Sequence, residues 1–432
     1  MKRKISHIVL AVALSLLFAF IFGATMSGCN DDGPTMGRNL FLFNPYRNVN
    51  FDTAYRLSSD LHVHTLNSDG ILSPQETVRR FSNAGFDFLA IADHDYWQYG
   101  RYPYGQPHQN NRYRTITYPW SNFGVTNNYG LTAIQATEFS RMHHMNAFFT
   151  DYTETLNQFG SRAARDEFEL LANALVHSNG VARFMLNHPQ RHIIEAMSGS
   201  NNRENRMAWL NSDNENVRYT AMWYARLLEE FDEILSIEVY NQGMRYEDDV
   251  MHWDRIIQES MGHNMRPVWL TANSDCHGSH YGTAKNVMLA STNNLQGFQS
   301  AWQQGAFFAT AFGNFDPRTL EVEGNLGDRW NYVPVINDIQ VDYRMGDITI
   351  DTDTYTSIEW VTADMQVVAT GNTVNFRYNT KIRYFVRAVV TNKNSAGEAI
   401  ARTYTQPFGV GIQDQNSWYF RFTGFNAYIP RL

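Results

Sequence analysis

The chain has 432 residues and a formal net charge of −8, with no basic block after Lys4, so the electrostatic footprint of a duplex nucleic-acid binder is missing. Its length allows two domains or one large domain with additions, and 28 Phe, 23 Tyr and 10 Trp supply ample material for a core. Only two cysteines occur, Cys29 and Cys276, so a lipid on the first would leave no intrachain disulfide and all stability to packing.

Lys2, Arg3 and Lys4 form a positive start, residues 8–22 are apolar, and small residues follow at MSGC. The pattern resembles a bacterial lipoprotein signal spanning residues 1–28, with Cys29 as the lipidated residue. Residues 29–55 then read as a tether and lead-in. The resemblance implies an exported, membrane-anchored lipoprotein on the periplasmic or cell-surface side. An uncleaved anchor is the other reading, and 15 apolar residues are short for a span.

From residue 56 a pattern repeats: an apolar, β-rich run, a metal-ligand residue type at or near its end, then a helix or an insertion. The first run, DLHVH, places His62 and His64 two apart. On an extended strand both rings face one side, and Asp69 follows in the next loop. Imidazole and carboxylate together suit a borderline divalent metal. A helix is expected at once, with Ser73 as N-cap, Pro74 at its first position, Glu76 completing a capping box and Val78, Phe81 and Ala84 on the apolar face.

The second run, FDFLAIADHD, ends at Asp93, His94 and Asp95, and the third, LTAIQATEFS, carries Glu138. Between them, residues 99–130 are polar and aromatic without periodicity, and read either as a lid over the site mouth or as a solvated insertion. The fourth run, HHMNAFFTD, opens with His143 and His144. Adjacent strand residues face opposite ways, so one of the pair points inward. The fifth, VARFMLNHP, delivers His188; the sixth, EILSIEVYN, has Glu238 and Asn241; the seventh, RPVWLTANSDCH, has Asp275 and His277. Apolar strands alternating with helices imply parallel pairing in an α/β barrel or doubly wound sheet, and in a barrel the strand ends open onto one face. Residues 318–432 instead alternate apolar and polar with turns such as EGNLGD and NKNSAGE, as an antiparallel sandwich does.

Over residues 58–315 the chain resembles the polymerase and histidinol phosphatase (PHP) superfamily. The resemblance is carried by H-x-H-T-x-x-S-D-G at 62–70, A-D-H-D at 92–95, the Glu of T-E-F-S at 138, H-M-N at 144–146, N-H-P at 187–189 and S-D-C-H at 274–277. It implies a distorted (β/α)7 TIM-like barrel over residues 56–315, followed by a small all-β, sandwich-like domain over 316–432. It also implies two or three divalent ions (Zn, Mn or Fe). His62, His64, Glu138 and Asp275 would hold one ion, and Asp69, His94 and His188 a second. Glu138 with His144 and His277 would hold a third. His144 is preferred to His143 because it fits H-x-N. By strand alternation Cys276 faces away from its neighbours as a buried structural thiol. More narrowly, GAFFATAFGNFDPRTLEVEGNLGD at 305–328 and the β-rich tail resemble the exported branch that includes carbaryl hydrolase.

The expected function is hydrolysis of a small phosphomonoester or phosphodiester, nucleotide-like, by a metal-bound water. His277 or Asp95 would relay a proton, and Arg191, His192 or Lys285 would hold the phosphate. No G-x-S-x-G elbow offers a nucleophilic serine. The alternatives are a carbamate or carboxylic ester hydrolase using the same site, and a non-catalytic surface protein binding metal or glycans. Beyond the small-molecule ester substrate, the membrane reached through lipid on Cys29 is the one partner expected.

Overall fold

The structure is a computed structural model. It describes residues 39–95, 101–102, 106–107, 120, 129–141, 143–154, 164–189, 208, 215–242, 248–262, 267–278, 281–312, 330–413 and 420–422. The signal-like segment with Cys29, most of the 99–130 insertion, Arg191 and His192 lie outside the described residues. No helix among the described residues is long and apolar enough to cross a membrane.

The first half runs β1 (Asn39–Phe43), β2 (Tyr55–Val63), α1 (Pro74–Asn83), β3 (Phe88–Ile91), β4 (Thr132–Ser140), β5 (His144–Phe148), α2 (Glu167–His177), β6 (Arg183–Leu186), α3 (Glu215–Glu230) and β7 (Ile234–Tyr240). Next come α4 (Asp248–Gly262), β8 (Trp269–Ala272), β9 (Ala284–Ala290), α5 (Leu295–Gln304) and β10 (Phe307–Phe312). The rest is β11 (Val335–Asp342), β12 (Asp347–Asp353), β13 (Ser357–Val361), β14 (Val367–Thr370), β15 (Thr373–Asn375), β16 (Phe385–Lys393), β17 (Ala399–Thr405), β18 (Phe408–Gln413) and β19 (Phe420–Phe422), with two short 3-10 turns. Inside the insertion, Arg101–Tyr102 pairs antiparallel with Gln106–Pro107.

The molecule is mixed α/β, built on one large sheet in the order β1, β18, β16, β17, β10, β9, β2, β3, β4, β5, β6, β7, β8. A smaller sheet, β11, β12, β15, is separate in its hydrogen bonding and packs against it. The expected parallel run breaks at β5, which is antiparallel to both β4 and β6. The cause is chain length: only Arg141 to His143 separate β4 from β5, too few residues for the crossover that parallel pairing requires. Reversal puts the first residue of β5, His144, at the end where the other strands finish.

The expected barrel does not close. Both edges of β2 are occupied, by β3 on one side and by β9 over Tyr55 to Ser59 on the other, so no ladder joins β8 to β2. The two meet only past the ladder, in a single parallel bridge between Val63 and Cys276. Along the gap, side-chain amides satisfy the open edge of β8. Gln406 accepts from the Leu270 N–H and donates to its carbonyl, both at 2.9 Å. Asn286 does the same for Ala272, both at 3.0 Å. Since Gln406 follows β17, the carboxy-terminal region seals the seam of the amino-terminal one.

Half of the capping box expected for α1 is present: Ser73 Oγ accepts from the Glu76 N–H at 3.2 Å, worth about 1 kcal/mol, while the Glu76 carboxylate accepts from Arg79 and Arg80. Its buried Val78 and Phe81 pack with Val63, Leu89, Ile91 and Cys276. A second cluster fills the interior below the strand ends, where Leu61, Phe88, Ile134, Met185 and Trp269 meet Phe298 and Trp302 of α5. In a third, Trp360, Ile348, Phe376 and Val390 of the tail join Leu42 and Tyr46 from the lead-in.

Candidate metal centre

All nine expected ligands come together where the strands end. Four groups have nitrogen and oxygen atoms within 4.8 Å of one another: His64, Asp69, His94 and His277; His62, His188 and Asp275; His62, His64 and Glu138; and His94, Glu138 and His144. This division differs from the one the resemblance implied. His188 lies with His62 and Asp275 rather than with Asp69 and His94, and His277 lies with Asp69 rather than with Glu138.

His62 on β2 and His64 just past its end bring their Nε2 atoms within 3.1 Å of each other. From β4, Glu138 reaches into the middle. Its Oε1 is 3.3 Å from His62 Nε2 and 3.0 Å from His144 Nδ1, and its Oε2 is 2.8 Å from His94 Nδ1. Asp275 Oδ1 stands 3.4 Å from His62 Nε2 and 3.2 Å from His64 Nε2. His277 Nε2 meets Asp69 Oδ2 at 3.1 Å, and His188 Nε2 is 3.5 Å from Glu138 Oε1. His277 is the ligand histidine most open to solvent, with its side chain 24% exposed.

Backbone geometry holds these ends in place. His188 at φ 23° and Asp275 at φ 44° occupy the left-handed region, a strain on the order of 1–3 kcal/mol each that surrounding bonds must offset. Asp69 sits on a turn that folds back over its own strand. A Cβ on Gly70 would stand 2.7 Å from the His64 carbonyl carbon and the Thr65 nitrogen, so only glycine fits. Asp93 pins the same turn, accepting from the Thr65 N–H, Thr65 Oγ1 and Ser68 Oγ, each at 2.7 Å.

Without an ion, protons must balance the buried charge. Burial disfavours the charged form of His94 and His277, but Glu138 and Asp69 raise the first to about 10, and Asp275 and Asp69 raise the second to about 9. His62 is likewise raised, against burial, by Glu238, Asp275 and Glu138. Burial and the neighbouring imidazoles His277 and His94 lower His64, and burial takes His144 down to about 4. Burial opposes ionisation of Glu138 and Asp275, yet the surrounding histidines hold both well below the usual carboxylate range.

This donor set fits divalent metal. Among the described residues the buried Oε2 of Glu138 makes no hydrogen bond, although two imidazoles stand within 3.4 Å of it. Acceptor-only oxygens and ring nitrogens converging on shared points are what a cation satisfies and hydrogen bonds do not. His94, Glu138 and His144 and the other groups mix imidazole with carboxylate, as zinc, manganese or iron accept.

Other candidates stand elsewhere. The Asp95 carboxylate accepts from the Ser140 N–H at 2.9 Å, fastening the end of β4 rather than joining the ligand groups. His143 turns outward, stacked on Trp223 at 3.7 Å with Nδ1 3.0 Å from the Tyr224 hydroxyl. Cys276 is buried among apolar side chains, and burial pushes its thiol up to about 12. Lys285 holds its ammonium over the Trp330 ring at 3.7 Å. Sequence reasoning did not assign the polar residues behind the ligands. Asn187 Nδ2 donates to Glu138 Oε1 and to Asn146 Oδ1, both at 2.8 Å, and Gln242 donates to Asp275 Oδ2 at 2.9 Å. Asn146 and Asn187 lie inside H-M-N and N-H-P, so their motifs carried the signal; Gln242 had none.

No family model matches the chain, and no curated protein does. Among solved structures it is similar to a two-domain protein from Bacteroides vulgatus containing a predicted PHP-like metal-dependent phosphoesterase. Identity is 17% over 82% of this chain and 96% of that one, with a TM-score of 0.42. It is also similar to a protein from Bifidobacterium adolescentis described as a metal-dependent phosphoesterase, at 15% identity over 51% of this chain and 87% of that one, TM-score 0.29. A third is an amidohydrolase from Chromobacterium violaceum, at 14% identity over 51% and 89%, TM-score 0.28.

Proposed function

We propose that this chain is a metal-dependent hydrolase of the PHP type that cleaves a small phosphomonoester or phosphodiester, nucleotide-like in character. The observation that carries the reading is the convergence of nine ligand residues, six imidazoles and three carboxylates, with the central Glu138 shared between two groups. Divalent ions held there supply Lewis acidity toward a phosphoryl oxygen and bring the pKa of water toward neutrality. The protein's own part is to hold and orient. Glu138 presents one oxygen to His62 and His144 and the other to His94, so a single carboxylate spans the centre. His277, against Asp69 and 24% exposed, would carry a proton between the site and bulk water whenever its ring is not held by an ion. Asp95 is committed to the Ser140 backbone and is not assigned that role.

Elemental analysis of the purified protein, with a screen of aryl phosphodiesters, phosphomonoesters and carbamates before and after chelation, tests the reading. Two or three equivalents of Zn, Mn or Fe and chelator-sensitive phosphoester cleavage are expected. Cleavage of carbamates alone would transfer the same centre to the carbaryl hydrolase branch. At most one tightly held ion and no turnover on any ester would leave only a non-catalytic surface protein.

We further propose that the chain is exported and anchored through lipid on Cys29. The charged, apolar and small-residue order of the first 29 residues supports this. Wild-type protein should partition with membranes and take up labelled fatty acid, and Cys29→Ala should do neither. Membrane release of the wild type by salt alone would contradict the anchor.

A further inference from the structure

We infer that Glu238 is a positioning residue, whose single carboxylate fixes the ring and tautomer of His62 and the backbone of His188, and with them two ligands from different strands. The inference rests on the metal-centre reading and extends it to a residue outside the ligand groups.

Glu238 lies on β7 and is fully buried. Its oxygens accept from four groups. His62 Nδ1 is 3.0 Å from Oε1 and 3.2 Å from Oε2, and Asn273 Nδ2 is 3.0 Å from Oε1. Asn241 Nδ2 is 2.9 Å from Oε2, and the His188 N–H is 3.1 Å from it. An ionised carboxylate has about four lone-pair sites, so these donors saturate it. That saturation explains why an acid in the midst of the cluster is not itself a ligand.

The consequence for His62 is a choice of nitrogen. A carboxylate only accepts, so Nδ1 must carry a proton, and Nε2 is the atom left to face Glu138 Oε1 and Asp275 Oδ1 at 3.3 and 3.4 Å. Carboxylate, imidazole and metal in line is the arrangement that sets a ligand's tautomer and increases its basicity. The consequence for His188 is conformational. The N–H bond to Glu238 helps hold a residue at φ 23° whose Nε2 then stands 3.5 Å from Glu138. Donors from the ends of β2, β6, β7 and β8 therefore meet on one side chain.

The test compares full-length wild type with Glu238→Gln and Glu238→Asp. A glutamine keeps the shape but turns an NH2 group toward two of the four donors. Glu238→Gln should hold metal about 10 to 100 times more weakly by chelator competition. Glu238→Asp should recover part of that affinity. In metal-free wild type, nitrogen-15 correlation spectra of the histidines should show His62 protonated at Nδ1. A folded Glu238→Gln protein that loads at wild-type affinity would overturn the role. So would a wild-type His62 with Nδ1 bare, a measurement that no folding defect in a variant can spoil. Wild type that takes up no metal defeats the hydrolase reading, and the tautomer alone then decides the place of Glu238.

Discussion

Two regions of this molecule bury polar side chains without exposing them to water, and they do it in opposite ways. Along the seam between β8 and its neighbours, Asn286 and Gln406 set one donor and one acceptor against each peptide they face. At the strand ends a few residues away, carboxylate oxygens crowd ring nitrogens, and His62 and His64 turn nitrogen toward nitrogen. The seam is complete as it stands. The cluster is complete only with positive charge added, as protons or as metal, which is the physical difference between a buried network that builds a fold and one that builds a site.

Removing ligands from the cluster should produce the largest effect. The double substitution His64→Ala, His94→Ala breaks three of the four ligand groups. Hydrolysis should fall by about 10³-fold or more, beyond the 10 to 100-fold typical of changes behind the ligands. Thermal unfolding of the metal-free protein should shift far less than activity, although the deletion removes the His94 imidazolium that offsets Glu138 and Asp69. Full activity in this variant would end the hydrolase reading.

The seam predicts the reverse pattern. Gln406→Leu leaves the N–H and carbonyl of Leu270 buried without partners, which costs about 3 kcal/mol. Chemical denaturation should show that loss while metal content per folded chain stays unchanged. If the variant instead lost metal at full stability, seam and cluster would be one unit and the contrast would fail.

What the sequence disclosed follows the same line. The convergence of these side chains was legible because metal chemistry demands particular residue types at strand ends, and His62, Glu138 and Asp275 occupy them. That only one of His143 and His144 faces inward was legible from strand alternation, and the H-x-N pattern singled out His144. The open barrel was not, because it depends on β9 returning to claim the free edge of β2, a pairing between residues more than 220 positions apart. Nor was the reversal of β5 read, although the three residues from Arg141 to His143 are too few for a crossover. Gln406 gives no local sign at all, since its partner Leu270 lies 136 residues earlier.

Acidity should separate the regions next. In metal-free protein, His94 near 10 and His277 near 9 carry protons at neutral pH, whereas His144 near 4 does not. An ion needs the bare nitrogen, so loading at pH 7 must expel those protons, and affinity rises with pH toward their pKa values. Each proton displaced weakens binding about tenfold per unit of acidification. Calorimetry in buffers of different ionisation heat should register about two to three protons released on full loading, a number set by His62, His94 and His277 together. Loading that is indifferent to pH between 6 and 8 would mean that the imidazoles are already neutral. The seam amides do not titrate, so Gln406→Leu should leave this dependence untouched.

The smallest effect belongs to Cys276, which stands between two ligands yet belongs to neither region. Its backbone joins the cluster to β2, with the His64 N–H donating to its carbonyl at 2.9 Å, while its side chain packs with Val63, Val78 and Phe81. Burial holds the thiol near 12, so at neutral pH it is neither a thiolate ligand nor a nucleophile. Cys276→Ala deletes one sulfur from an apolar cluster, a loss of about 1 kcal/mol. Metal stoichiometry, the pH of loading and turnover should match wild type, and thiol reagents should leave the native protein unmodified until it is denatured. A lost metal equivalent in Cys276→Ala would place the thiol inside the centre and require the residue to turn over at its bridge to Val63.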